Sequence, residues 1–143
     1  MFDIDHPEIT ALVEAALAED IGAGDITTEL TVPAQAQATG AFHAKEPLVV
    51  AGVELLHTIY SLRGPVDSLD IVAPSGTAVE AGACLARVAG PARTLLTCER
   101  VSLNFIQRLS GVATMARRFA EEISGTGCKI LDTRKTTDRK SVV

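Results

Sequence analysis

The sequence predicts an α/β protein, and three observations carry that prediction. Apolar residues recur at helical spacing in Pro7–Glu19, in Val53–Leu62 and again from Ala92 onward. Between Ala38 and Val50 the pattern alternates as a strand does. Near Thr137 a helix, a short strand and a basic loop follow one another, which is how an α/β unit begins. The 143 residues, 47% of them hydrophobic, suffice to bury a core, and one domain is the simplest division.

In the first helix Ile9, Leu12, Val13, Ala16 and Leu17 share a face, Pro7 suits the opening turn and Gly22 the stop. Asp25-Ile26-Thr27-Thr28 then opens a loop. A single strand is expected from Ala38 to Val50 around Phe42, ending at Ala51-Gly52. The second helix, Val53 to Leu62, turns Leu55, Leu56 and Ile59 inward and closes at Arg63-Gly64-Pro65. Between Ala73 and Ala89, Gly76 and Gly82 break short apolar pieces, which predicts short strands joined by tight turns. That spacing also resembles the half-motif of biotinyl and lipoyl carrier domains. Those present a lysine on a hairpin, whereas the only lysine here before residue 129 is Lys45, in another segment, which argues against a carrier function.

From Ala92 the residues Leu95, Cys98, Ser102, Phe105 and Leu109 form an inward stripe. The other side of that helix stacks Arg100, Asn104 and Arg108 four residues apart. Ser110 is placed to cap a further helix with Val112, Met115, Phe119 and Ile123 as its stripe, ended by Gly125 and Gly127. Lys129-Ile130-Leu131 reads as a short strand. Asp132 to Thr137 is then a polar loop at a strand's C-terminal end, where α/β chemistry usually sits.

Charge is distributed unevenly. Residues 1–92 hold thirteen acidic and three basic side chains, while residues 93–143 hold five acidic and ten basic. A basic second part implies an anionic partner, either a polyanionic small molecule or nucleic acid. One tyrosine and no tryptophan leave little for base stacking, which speaks against nucleic acid. No run approaches the ~20 apolar residues that span a bilayer, and the acidic start Met1-Phe2-Asp3-Ile4-Asp5 lacks the basic lead of a signal peptide, so a cytoplasmic protein away from membranes is expected. Cys84, Cys98 and Cys128 have neither disulfide nor zinc spacing and read as reduced apolar residues. His6, His43 and His57 are scattered, Glu19, Asp20 and Asp25 read as a helix end and turn rather than a metal site, and Arg117 and Arg118 pair with Glu121 and Glu122 along a helix. Taken alone, Arg100 beside Glu99 is a solvated surface residue, and Arg134 with Lys135 is a basic loop.

Two stretches resemble the quinolinate phosphoribosyltransferase family. The first is Leu17-Ala18-Glu19-Asp20-Ile21-Gly22-Ala23-Gly24-Asp25-Ile26-Thr27. The second starts at Glu99-Arg100-Val101-Ser102-Leu103-Asn104-Phe105, passes through Leu109-Ser110-Gly111-Val112-Ala113-Thr114, and reaches Leu131-Asp132-Thr133-Arg134-Lys135-Thr136-Thr137. The resemblance implies an N-terminal α/β sandwich domain over residues 1–107, the first elements of an α/β barrel domain over 108–137, and a tail at 138–143 with no counterpart in the family. It implies phosphoribosyl transfer from phosphoribosyl pyrophosphate to quinolinate with decarboxylation, giving nicotinate mononucleotide, pyrophosphate and carbon dioxide on the way to NAD. Thr133, Arg134 and Lys135 would hold the quinolinate carboxylates, and Arg100 would reach into the site of a neighbouring subunit of a homo-oligomer. Magnesium would assist, held by residues outside this sequence. A barrel usually takes about 200 residues or more, so the expectation is a truncated barrel, exposed apolar helix faces and a chain inactive by itself. The alternatives are a molybdenum-associated paralogue of the same fold and a non-enzymatic module binding an anion or nucleic acid.

Overall fold

The computed structural model describes residues 6–131. Helix α1 (Pro7–Ile21) starts where expected. His6 caps it by accepting from the Glu8 N–H through Nδ1 at 3.2 Å, and Pro7, which has no N–H to satisfy, occupies the first turn. Gly22 ends it at φ +54°, its N–H returning to the Ala18 carbonyl at 3.0 Å. Val13 and Leu17 are buried, but Leu12 points outward.

The loop expected at Asp25–Thr28 is instead the beginning of a short helix, α2 (Ile26–Thr31). Asp25 nucleates it by accepting from the Thr28 N–H at 3.0 Å. Its apolar residues Ile26 and Leu30 face solvent, so no inward stripe announced a helix.

The single strand expected over Ala38–Val50 is two strands in different sheets. β1 (Gln37–His43) alternates as predicted, with Ala38, Gly40 and Phe42 inward and Gln37, Thr39, Ala41 and His43 outward. The register slips between Phe42 and His43, and Pro47 removes a ladder donor. The chain then restarts as β2 (Leu48–Val49), which pairs antiparallel with β4 (Ala78–Val79). α3 (Leu55–Arg63) buries Leu55, Leu56, Ile59 and Tyr60. β3 (Ser68–Ile71), which the sequence did not announce, and β5 (Cys84–Pro91) complete a three-stranded antiparallel sheet in the order β1-β5-β3.

The largest departure is α4 (Ala92–Glu122), a single helix of 31 residues where two were expected. Ser110 caps nothing. It is buried in mid-helix, accepting from the Ala51 N–H at 3.0 Å and donating to the Ala51 carbonyl at 3.3 Å. One turn later Thr114 accepts from the Val49 N–H at 2.9 Å and donates to the Ser110 carbonyl at 2.6 Å. The two hydroxyls thus stand in for a neighbouring strand along β2, satisfying donors that would otherwise be orphaned. Gly52 makes this approach possible: at φ +80° it places its backbone against the side chain of Leu109, where a Cβ would collide.

Helices α1, α3 and α4 bury their faces on one another and on β1 and β5. The core joins Val13, Leu56, Ile59, Ala86, Val88, Cys98, Val101 and Ile106. Of the predicted α4 stripe, Cys98 and Ser102 are fully buried, Leu95 and Phe105 partly so, and Leu109 is 38% exposed. Burial pushes the Cys98 thiol up to about 11 and the Tyr60 phenol up to about 12, so both behave as core residues. Beyond Ser110 the helix carries Val112, Met115 and Phe119 into solvent at 70%, 50% and 58% exposure, as the exposed-face expectation had it. The strand expected at Lys129-Ile130-Leu131 does not form: those residues take no regular structure and pair with no strand among the described residues.

Candidate anion-binding site

Residues four apart on a helix advance by a little over one turn, so Arg100, Asn104 and Arg108 form a row along α4. The C-terminal turn of α1 faces that row. Between them lies a cleft of about 540 Å³ lined by Arg100, Asn104 and Arg108 on one side, Ala16, Glu19 and Asp20 on the other, and Val101 and Phe105 at its floor.

Arg100 is fixed within it. Its Nε lies 3.1 Å from Asp20 Oδ1, and its Nη2 donates to the Asp20 main-chain oxygen at 3.3 Å. A guanidinium beside the carbonyl end of α1 also complements the helix dipole. The Arg100 side chain remains 78% exposed, whereas Asp20 is 22% exposed. Arg108 makes no ion pair or side-chain hydrogen bond among the described residues.

Asp25 adjoins this wall from the far side of Arg100, in a second cleft of about 270 Å³ shared with Asp20, Thr97 and Arg100. Hydrogen bonds from the Thr28 hydroxyl and then the Thr28 N–H hold its carboxyl below the usual carboxylate range, with smaller help from Thr97 and Arg100. The acidic residues considered as a metal site do not form one. Asp20 is engaged by Arg100, Asp25 by Thr28 and Thr97, and no group of three or more histidine, cysteine or acidic side chains could hold a metal among the described residues. The structure does bring Arg117 to Glu121, at 2.8 Å, as the sequence led us to expect.

Of the four residues singled out for substrate binding, Arg100 lines the cleft, while Thr133, Arg134 and Lys135 lie outside the described residues. Asp20 was missed as a partner of Arg100. The only sequence signal was an acidic pair at a helix end, with nothing to connect it to an arginine 80 positions away.

A model of the family described as quinolinate phosphoribosyl transferase, N-terminal domain, matches residues 25–110, from the cap of α2 to the Ser110 hydroxyl. The chloroplastic carboxylating nicotinate-nucleotide pyrophosphorylase of Oryza sativa is 40% identical over 134 residues, covering 92% of this chain and 36% of the rice protein. The corresponding protein of Mycobacterium leprae is 39% identical over 127 residues, covering 87% of this chain and 45% of its own length. Among solved structures, NadC from Streptococcus pyogenes superposes with a TM-score of 0.87 at 33% identity, over 96% of this chain and 49% of that one. The nicotinate-nucleotide pyrophosphorylase from Francisella tularensis gives 0.84 at 34%, over 90% and 46%. The chain spans less than half the length of these relatives. Because the family model takes in most of the core and the cationic row of α4, and the relatives align over nearly the whole chain, the chain belongs to the quinolinate phosphoribosyltransferase family, whose N-terminal domain it carries.

Proposed function

We propose that the chain is part of an enzyme that transfers the phosphoribosyl group of phosphoribosyl pyrophosphate to quinolinate with loss of carbon dioxide, forming nicotinate mononucleotide and pyrophosphate for NAD biosynthesis. The observation that carries this reading is the cationic row of α4, opening on a cleft within a segment that matches the family. Every reactant is multiply anionic, and guanidinium forks are the groups that grip carboxylates and phosphates with fixed geometry.

In this reading Thr133, Arg134 and Lys135 hold the quinolinate carboxylates, and Arg100 reaches into the site of a neighbouring subunit of a homodimer. Catalysis is then electrostatic: fixed positive charge stabilises the departing carboxylate and pyrophosphate without proton transfer by these groups. Magnesium would supply neutralisation of phosphate charge, and no group of the described residues fits it. A sandwich domain at 1–107 and the start of a barrel at 108–137 belong to the same proposal, with α4 joining them, since it runs unbroken through that boundary. So does a non-native tail at 138–143. So does a cytoplasmic location, although relatives from rice and tobacco are named chloroplastic and mitochondrial.

The 143 residues alone are inactive in this reading, because they cover only 36% and 45% of the rice and Mycobacterium leprae relatives they match. The test is formation of nicotinate mononucleotide from quinolinate, phosphoribosyl pyrophosphate and magnesium. This chain is compared with one extended through its downstream reading frame. The expected result is activity only in the longer protein, lowered about 100-fold or more by Arg134→Ala, the scale of removing one partner from a buried charged contact. Activity in the short chain would refute the inactivity, and none in either would refute the reaction.

A further inference from the structure

We propose that Asp20 is a positioning residue for Arg100: it occupies one edge of the guanidinium and aims the other at a carboxylate or phosphate. This rests on the reading of the α4 row as substrate-binding. A guanidinium offers two forks, the Nε/Nη2 side and the Nη1/Nη2 end, and either accepts an anion bidentately. Asp20 occupies the side fork with two contacts of different kind, an ion pair from its carboxylate to Nε at 3.1 Å and a hydrogen bond that its main-chain oxygen accepts from Nη2 at 3.3 Å. The main-chain oxygen is fixed by the last turn of α1, so half of the grip does not depend on a side-chain rotamer. No protein acceptor among the described residues meets the end fork, which stays with Asn104 and Arg108 on the open cleft.

Stability does not explain the pairing, because an ion pair whose arginine is so exposed contributes little to folding. What the pairing removes is the rotational freedom that a free arginine would lose on meeting a ligand, an effect of about threefold to tenfold in affinity. A fixed fork at high exposure is also what reaching into a neighbouring subunit requires.

Simple electrostatics predicts the opposite sign. A carboxylate beside Arg100 weakens the local positive potential, so its removal alone should tighten anion binding. Asp20→Ala and Asp20→Asn separate the two effects, because asparagine keeps an oxygen dipole beside Nε while losing the charge.

The experiment titrates the full chain separately with inorganic pyrophosphate and with pyridine-2,3-dicarboxylate, following the Arg100 Nε–H resonance. The two arms identify which anion the fork takes. In Asp20→Ala the dissociation constant should rise about fivefold, with the melting temperature unchanged. Asp20→Asn should restore it to within about twofold, and Asp20→Ala in an Arg100→Ala background should add no further loss. Equal or tighter binding in Asp20→Ala, with the Arg100 response retained, overturns the positioning role alone. A wild-type Arg100 indifferent to both anions, or affinity unchanged in Arg100→Ala, overturns the site reading and this inference with it.

Discussion

Ser110 and Ser102 sit two turns apart on α4, both buried, and should respond in opposite directions to the same substitution. Ser110 exchanges two hydrogen bonds with the Ala51 backbone. Ser102 Oγ is enclosed near the Tyr60 phenol yet has no partner at hydrogen-bonding geometry. Truncating Ser110 to alanine removes two bonds of about 1 kcal/mol each and leaves the Ala51 N–H unpaired. Alanine returns about 0.5 kcal/mol of helix propensity, and water partly reaches Ala51, which is only half-buried. The net loss is about 1–2 kcal/mol, which for a domain of this size lowers the melting temperature by about 4–8 °C. Ser102→Ala removes a hydroxyl that was desolvated without return, so it should leave stability unchanged or raise it by up to about 1 kcal/mol. Urea and thermal unfolding of the two variants measure both. If Ser110→Ala falls within 0.5 kcal/mol of wild type, about the scatter of inert surface changes, or Ser102→Ala proves the costlier, the hydroxyl stitch between α4 and β2 is not what holds the helix there.

Gly52→Ala places a Cβ at φ +80° and against Leu109, which should cost about 2–3 kcal/mol. Adding Leu109→Ala should recover only the steric part, and full recovery would mean that the backbone conformation costs nothing. The Asp25 carboxyl is held below its ordinary value of 3.8, so its contribution is complete above that value and is lost as pH falls through the lowered one. Asparagine caps a helix as well as aspartate but does not titrate. Asp25→Asn should therefore flatten the decline of the urea midpoint as pH falls below 3.8, and identical acid limbs would refute that account of α2.

Local patterns in the sequence revealed elements whose burial is regular and missed those defined by a distant partner. α1 and α3 were legible because Val13, Leu17, Leu56 and Ile59 keep helical spacing on buried faces. α2 was not, since its apolar side chains are exposed and a single aspartate holds its start. α4 was divided at Ser110 because a serine there looks like the cap of a new helix. Yet Phe105, Leu109, Val112, Met115 and Phe119 continue one stripe without a change of phase, and that continuity was the better guide. What no window around Ser110 discloses is its partner, Ala51, 59 residues earlier. The site divides the same way: the row of Arg100, Asn104 and Arg108 follows from spacing alone, whereas the Asp20 grip on Arg100 exists only after α1 has packed against α4.

The charge asymmetry takes a different meaning once the contacts are known. The basic second part implied an anionic partner, but several of its cations are answered within the chain. Arg93 donates to the carbonyls of Val32 and Glu29, tying the start of α4 to α2. Arg117 bonds Glu121, and one edge of Arg100 bonds Asp20. In the cleft this leaves Arg108 and the free fork of Arg100, eight residues apart along one face and walled by Glu19 and Asp20. Nucleic acid binding draws its strength from neutralising many phosphates along an extended basic track. Two guanidinium groups enclosed by carboxylates suit a compact anion with a few closely spaced charges, and they would repel a polyanion that had to run past the acidic wall. Among the described residues this arrangement supports the proposed small-molecule partner over the nucleic acid that composition also left open.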